Sequence, residues 1–450
     1  MQTFFGSVWW LIVSLGILVT FHEFGHFWVA RKFGIKVLRF SVGFGAPLWR
    51  RLGRDGTEYQ IAAIPLGGYV KMLDEREQEV RAEDLPHAFN RKPVMQRIAV
   101  VAAGPVFNLL LCVALLWLMY LVGKPDYLPM VGRAEGIAAA AGLTNGDRLL
   151  AIDGQATSTW TDTAFALSQA AVDRKPVKIE FEQASGTRLQ RNLPLDRLAP
   201  DIKPSRIMQA VGLTPRHFLL PAVVGTLAPD SAGSGLLQPG DRIIRIGTRP
   251  IDAWDQVSAA IQAEATQGEP LQITVRRGGD LLDLAIQPRR DARSETPRWI
   301  VGIAPQAAES AYDTVQRYGA IDALSASLGE TWRLARGTLA MLGQMLVGNA
   351  SIHNLSGPLS IAQYANTSAQ LGLAWFLFFL ALMSLSLGII NLLPIPILDG
   401  GHLLYYLIEL VKGSPVSERA MITGQYVGLT LLVGLMGLAF YSDIIRIFNY

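Results

Sequence analysis

The chain has 450 residues, 50% of them hydrophobic and 17% charged, with a formal net charge of +3. It is too long for one ordinary domain and too apolar for a purely soluble protein, whose charged share is about 25%. The small positive balance argues against a nucleic-acid partner, and a single cysteine, Cys112, excludes any disulfide within the chain.

Residues 1–30 form an apolar run with no charged side chain before position 22, predicted as a first transmembrane helix. It lacks the basic start and cleavage site of a signal peptide, so it is expected to stay as an anchor. Inside it lies His22-Glu23-Phe24-Gly25-His26. Two histidines four apart share one helix face, so both imidazoles can reach one metal. A glutamate directly after the first histidine is the usual general base of a zinc peptidase. A chance match is the bland alternative. Ionisable groups at membrane depth are costly, however, and generally mark function.

Residues 31–97 hold 13 Lys/Arg against 8 Asp/Glu, while no Lys or Arg precedes the first span. The positive-inside rule puts this loop in the cytoplasm and both termini outside, with the segment between the second and third spans. Tyr59–Met72 is apolar around Pro65-Leu66-Gly67-Gly68 and reads as a β-hairpin turning there. It is either soluble or membrane-reentrant, and its apolar content favours the second. Residues 98–123 are the second span, in which Gly104 and Asn108 read as support for close helix packing.

An internal repeat follows. Gly146-Asp147-Arg148-Leu149-Leu150-Ala151-Ile152 matches Gly240-Asp241-Arg242-Ile243-Ile244-Arg245-Ile246, each preceded by Gly-Leu and followed by Trp160 or Trp254. A period near 94 residues is a duplicated domain, placed at 124–219 and 220–306. Gly-Asp makes a tight turn and the apolar run after it a buried strand. Residues 307–370 read as amphipathic helices at the outer membrane surface, with a buried soluble helix as the other possibility.

The third transmembrane segment, 371–419, begins inside a stretch from 337 to 398 without charged side chains apart from His353. It breaks at Asn391-Leu392-Leu393-Pro394-Ile395-Pro396-Ile397-Leu398-Asp399-Gly400-Gly401. Two prolines and two glycines interrupt a helix, and irregular backbone at membrane depth makes a cavity. Catalytic zinc normally has three protein ligands and one open position. Asp399 is the expected third ligand, with His402 as rival or as a residue supporting the ligands. Residues 420–450 hold the fourth span. His87, His217 and His353 read as ordinary surface or loop histidines.

HExxH in the first span, Leu-Asp-Gly in the third and the repeats between them resemble the site-2 protease family of intramembrane zinc metalloproteases. The repeats resemble PDZ domains. Gly104 to Asn108 is similar to the family's GxxxN motif, and Pro65 to Val70 to its membrane-reentrant β element. Four spans with a tandem PDZ pair resemble the bacterial regulator-of-sigma-E protease type. The expected fold is a polytopic α-helical membrane protein with a reentrant β-hairpin and two inserted PDZ domains. The resemblance implies an endopeptidase with Zn2+ held by His22, His26 and Asp399, and Glu23 as base. Its substrate is expected to be a single-span protein of the lipid bilayer, an anti-sigma factor already shortened outside by another protease. An extended substrate must pair its freed amides. The strand edge at Gly67, Gly68, Tyr69 and Val70 is expected to supply partners by strand addition. Asn391 is expected to bond substrate backbone, or else to shape the helix break. The PDZ pair is expected to bind peptide C-termini, to exclude bulky substrates, or to serve as a spacer. The expected home is the bacterial inner membrane, with the PDZ domains and both termini periplasmic. A catalytically inactive scaffold binding peptides through the PDZ pair is the alternative, and an intact Glu23 beside both histidines argues against it.

Overall fold

A computed structural model describes residues 2–172, 174–199, 206–229, 231–291, 298–306, 311–346 and 357–448. His353 lies outside them. The chain divides into two compact units, one made of residues 1–125 and 315–450, the other of residues 126–314.

The first unit is helical. Its helices are α1 (Gln2–Lys32), α2 (Val94–Val122), α3 (Ala320–Leu346), α4 (Pro358–Gln370), α5 (Leu373–Leu392), α6 (Asp399–Lys412) and α7 (Glu418–Phe448). Four of them, α1, α2, α5 and α7, are long and apolar enough to cross a membrane. The shortest, α5, has 20 residues and spans about 30 Å, the thickness of a bilayer's hydrocarbon core. α2 is the buried pillar: Val100, Ala103, Gly104, Pro105, Asn108 and Leu111 face inward along it. α1 and α5 both pack on that face. A Cβ on Gly25 would sit 2.5 Å from the Ala103 carbonyl oxygen, so glycine is what lets α1 approach α2. Ser384 of α5 donates its hydroxyl to the Asn108 carbonyl at 2.8 Å. α3 runs antiparallel to the end of α2, with Trp117 donating to the Ala320 carbonyl and Cys112 facing Thr331. Asp443 of α7 accepts from the Gly357, Leu359 and Ser360 amides, satisfying the free donors at the start of α4.

Between α1 and α2 lie β1 (Val37–Leu52) and β2 (Glu58–Met72). Leu52 pairs with Glu58, so the hairpin turns at residues 53–57, where the Gly53 amide donates to the Thr57 carbonyl at 2.8 Å. This corrects the expected turn at Pro65–Gly68. Each long strand also bends in the middle. Arg39 to Val42 pair on one side with Lys71 to Gly68, numbers running opposite, and on the other with Glu58 to Ile61, numbers running together. The local order is therefore 68–72, 37–42, 58–61, 49–52. The bend in β1 uses Gly43 at φ +93°, where a side chain would also meet the Ala62 and Ile64 carbonyls. The two arms beside Pro65–Gly68 never pair with each other, because the apolar strand 37–42 takes the place between them.

The second unit holds two copies of one topology. The first has a four-stranded sheet of Gln155–Ala156, Arg148–Ile152, Val177–Glu182 and Arg188–Leu193 in that order; the second repeats it with Arg249–Pro250, Arg242–Ile246, Leu271–Arg277 and Asp280–Ile286. Leu149, Ile152, Ile179 and Phe181 fill the first core, and Ile243, Ile246, Ile273 and Val275 the second, at matching positions. Each Gly-Asp turn is tied the same way. Asp147 accepts from the Thr144 amide at 2.8 Å, and Asp241 from the Gln238 amide at 2.9 Å. His217 stacks on Tyr127 here at a ring separation of 3.8 Å.

Candidate metal centre

His22 and His26 are one turn apart on α1, 8% exposed each, and face α2. Asp399 is the first residue of α6, just past the chain break. That break is tight enough to need its glycines: a Cβ on Gly400 would collide with the Leu393 carbonyl, and one on Gly401 with that of Ile395. The fold thus brings residues 377 positions apart together (399 − 22).

The three side chains form a triangle. His22 Nε2 lies 3.3 Å from His26 Nε2. Asp399 Oδ2 lies 3.2 Å from the first nitrogen and 3.4 Å from the second. Zinc binds such nitrogen and oxygen ligands at about 2.0–2.2 Å, and a tetrahedron of that size has edges of about 3.3 Å. The three atoms have the spacing of one tetrahedral face. Asp399 Oδ2 is buried, and among the described residues no hydrogen bond satisfies it. His26 Nδ1 meets the Val100 carbonyl at 2.8 Å and so carries the proton, leaving a bare lone pair on Nε2. Lone pairs facing a carboxylate at this distance repel unless a cation sits among them, so the donor set fits zinc. No other cluster of three or more His, Cys, Asp or Glu with this spacing occurs among the described residues. His402 is not part of it.

α2 supplies what lies behind the histidines. Val100, Gly104 and Asn108 are spaced at i, i+4 and i+8, one face of the helix. Val100 holds His26 through its carbonyl. The Asn108 carboxamide nitrogen lies 3.0 Å from His22 Nδ1, and the amide oxygen beside it is buried without a partner. Turning the amide over puts that oxygen on Nδ1, as a metal-bound Nε2 requires. Between them, a Cβ on Gly104 would collide with both imidazoles. Asn108 therefore does more than pack helices, which the sequence reading missed. The available signal was a carboxamide in an apolar span, which rarely stands there without work to do. The Val100 carbonyl has no signal in sequence at all.

Glu23 is half-buried on the same helix. Its neighbour is the outer arm of β2. A Cβ on Gly68 would lie 3.0 Å from Glu23 Cγ and 2.7 Å from the Ser41 carbonyl, and the Val70 amide faces the Glu23 carboxylate. The arm of Gly67, Gly68, Tyr69 and Val70 thus runs beside Glu23. Tyr69 turns to accept from Arg39 at 3.2 Å and Gln60 at 3.3 Å. Asn391 stands in the last turn of α5; its side chain makes no hydrogen bond among the described residues and has no described contact with His22, His26 or Asp399. α6 is anchored at its other end, where Glu409 takes both Arg97 amines at 2.6 and 3.1 Å. The Arg97 guanidinium also lies over the Tyr406 ring.

Known proteins bear on this arrangement. The model of peptidase family M50 matches residues 10–435. The chain is 48% identical over 446 residues to a "Putative zinc metalloprotease" of Xylella fastidiosa, covering 99% of this chain and 100% of that one. It is 42% identical over 441 residues to the "Regulator of sigma-E protease RseP" of Escherichia coli, covering 97% and 98%. The Salmonella typhimurium protein of the same description is 41% identical over 441 residues.

Proposed function

The chain belongs to peptidase family M50 and is a zinc metalloprotease, and from that premise we propose that it hydrolyses peptide bonds within transmembrane segments of single-span proteins. His22, His26 and Asp399 hold the metal, and Glu23 is the base. The observation that carries this reading is the triangle of donor atoms with Glu23 beside it: His22, Glu23 and His26 stand on a helix long and apolar enough to cross a membrane, and Asp399 opens the helix that follows another such span.

Zinc, when bound, supplies Lewis acidity toward a carbonyl oxygen and toward water. Glu23 takes a proton from the attacking water and gives it to the leaving amine, so addition at the carbonyl carbon and loss of the C–N bond balance. Val70 orients the Glu23 carboxylate through its amide. The arm from Gly67 to Val70 receives the substrate as an added strand, because its outer edge faces Glu23 and its inner edge is already paired. Asn391, whose side chain has no hydrogen-bond partner among the described residues, bonds the substrate backbone from the end of α5.

We read the duplicated modules as PDZ domains on the matching Gly-Asp turns and cores. They and both termini are periplasmic, residues 31–97 are cytoplasmic, and the protein sits in the inner membrane; the positive charge of 31–97 supports this. The relatives' description as regulators of sigma-E supports a membrane-bound anti-sigma factor as substrate, already cut outside.

The test is cleavage of a reporter transmembrane segment by purified protein, with zinc content measured alongside. Glu23→Gln is expected to keep zinc and lose cleavage. Asp399→Ala is expected to lose both, and His402→Ala to keep most of both. Appreciable turnover by the Glu23 variant, or zinc loss confined to the His402 variant, overturns the assignment.

A further inference from the structure

The far edge of the sheet carries a pattern the peptidase site does not use. Residues 49–52 form the strand most distant from the Gly68–Val70 arm. Leu48, Trp49 and Leu52 are 73%, 50% and 71% exposed, and Ile61, paired with Trp49, is 49% exposed. Among these apolar side chains stand Arg50 and Arg51, with Arg54 in the adjoining turn. The other nearby charges are matched. Arg31 pairs with Asp55 at 2.6 Å, and Arg39 with Glu58 at 2.7 Å. The side chains of Arg50, Arg51 and Arg54 make no ion pair or hydrogen bond among the described residues. Leu38, Arg50, Arg51, Leu52, Gly56 and Glu58 line an open cleft of about 450 Å³ there.

Exposed leucines flanking unpaired arginines are costly in water and equally costly deep in hydrocarbon. Both costs vanish at one depth, with apolar side chains among acyl chains and guanidiniums at the phosphates. The fork of a guanidinium matches phosphate oxygens, and a nearby acid would repel them unless neutralised, as Glu58 is by Arg39. The geometry points to a binding site for an anionic phospholipid headgroup at Arg50, Arg51 and Arg54. The ligand would be a phosphodiester with two acyl chains, held at the outer strand of the same sheet whose opposite edge runs beside Glu23. Binding would pin that strand at the bilayer surface and so favour the ordered sheet. This rests on the membrane reading proposed above.

The full-length protein is placed in nanodiscs of phosphatidylcholine, alone or with phosphatidylglycerol. Phosphatidylglycerol carried through detergent extraction is counted by native mass spectrometry, and reporter cleavage is followed in the same discs. Neutralising three surface arginines (Arg50→Gln, Arg51→Gln, Arg54→Gln) is expected to weaken retention on the order of a hundredfold. Cleavage in pure phosphatidylcholine should be unchanged, while the gain from phosphatidylglycerol disappears. Equal retention by parent and variant overturns the site. Displacement of the lipid by inorganic phosphate at equal concentration also overturns it, because that marks a phosphate pocket. The retention count needs no turnover, so it tests the site even if the peptidase reading fails. A protein that binds the lipid but cuts nothing in any disc refutes that reading alone.

Discussion

Asn108 shows how much one side chain can decide when it stands behind a ligand. A histidine binding through Nε2 needs an acceptor at Nδ1 to fix its tautomer and its ring plane. For His26 that acceptor is backbone, which no side-chain substitution removes. For His22 it is the Asn108 carboxamide, 3.0 Å away and fully buried. Asn108→Leu keeps the branched heavy-atom shape and removes the acceptor. The expected result is zinc retention against a chelator falling about 10- to 100-fold, with helix content unchanged. A variant that holds zinc as tightly as its parent would reduce Asn108 to a packing residue. The same physics explains why Gly104 is glycine: the imidazoles occupy the place where its Cβ would be.

At the scale of elements, the site depends on how α6 is set against α2. Asp399 opens α6, and its carboxylate must reach histidines held by α2. Arg97 and Glu409 fasten the two helices with a bidentate pair whose side chains are 9% and 13% exposed. Arg97 also donates to the Lys92 carbonyl at 3.1 Å, so its position is fixed from both sides. Removing one partner of a buried pair leaves an uncompensated charge, at a cost of about 3–5 kcal/mol. Arg97→Ala is therefore expected to loosen α6, lower zinc occupancy and depress cleavage together. Exchanging the charges, with Arg97→Glu and Glu409→Arg, should restore part of both. If the exchanged pair is as defective as the single variant, the pair contributes no register between the helices.

At the scale of the whole molecule, the two units divide the labour. His22, Glu23, His26, Asn108 and Asp399 all belong to the helical unit, and among the described residues the second unit adds none to the proposed ligand set. Deleting residues 124–306 and joining the ends with a short linker is expected to leave zinc bound. It should also let a substrate with its full outer domain be cut. The comparison is cleavage of matched substrates with long and truncated outer domains. Rejection of the long one by a folded, zinc-loaded deletion would move selectivity into the helical unit. The two modules also differ in what faces the aspartate of the Gly-Asp turn. In the second, Arg277 takes both oxygens of Asp241 at 2.7 Å and holds its carboxyl below the usual range. The matching position in the first module is Gln183, which cannot pair with Asp147. A lowered folded pKa gives stability that is present above the unfolded value near 3.9 and is lost as pH falls through the folded one. Thermal melting of the 126–314 unit should therefore show the second module losing stability below about pH 4. Arg277→Gln should flatten that dependence, and an unchanged pH profile in the variant would assign the acid response to other carboxylates.

The chemistry of this protein was legible in its sequence because it is carried by local spacing. His22, Glu23 and His26 lie within one turn by the geometry of 3.6 residues per turn, and two prolines and two glycines crowded around Asp399 mark a helix break. Four apolar runs announce spanning helices, and the 94-residue repeat announces two like modules, since both signals are periodic along the chain. Other features needed the folded chain. The turn of the β element lies at residues 53–57 because strand 37–42 inserts between arms that look, from their residues, like partners. The Val100 carbonyl and the Asn108 amide reach the histidines only once α1 lies against α2. Whether Asp399 or His402 faces the histidines depended on where the chain re-enters its helix after residue 398, and the two are less than one turn apart. Spacing along a chain determines which groups share a face; only packing decides which faces meet.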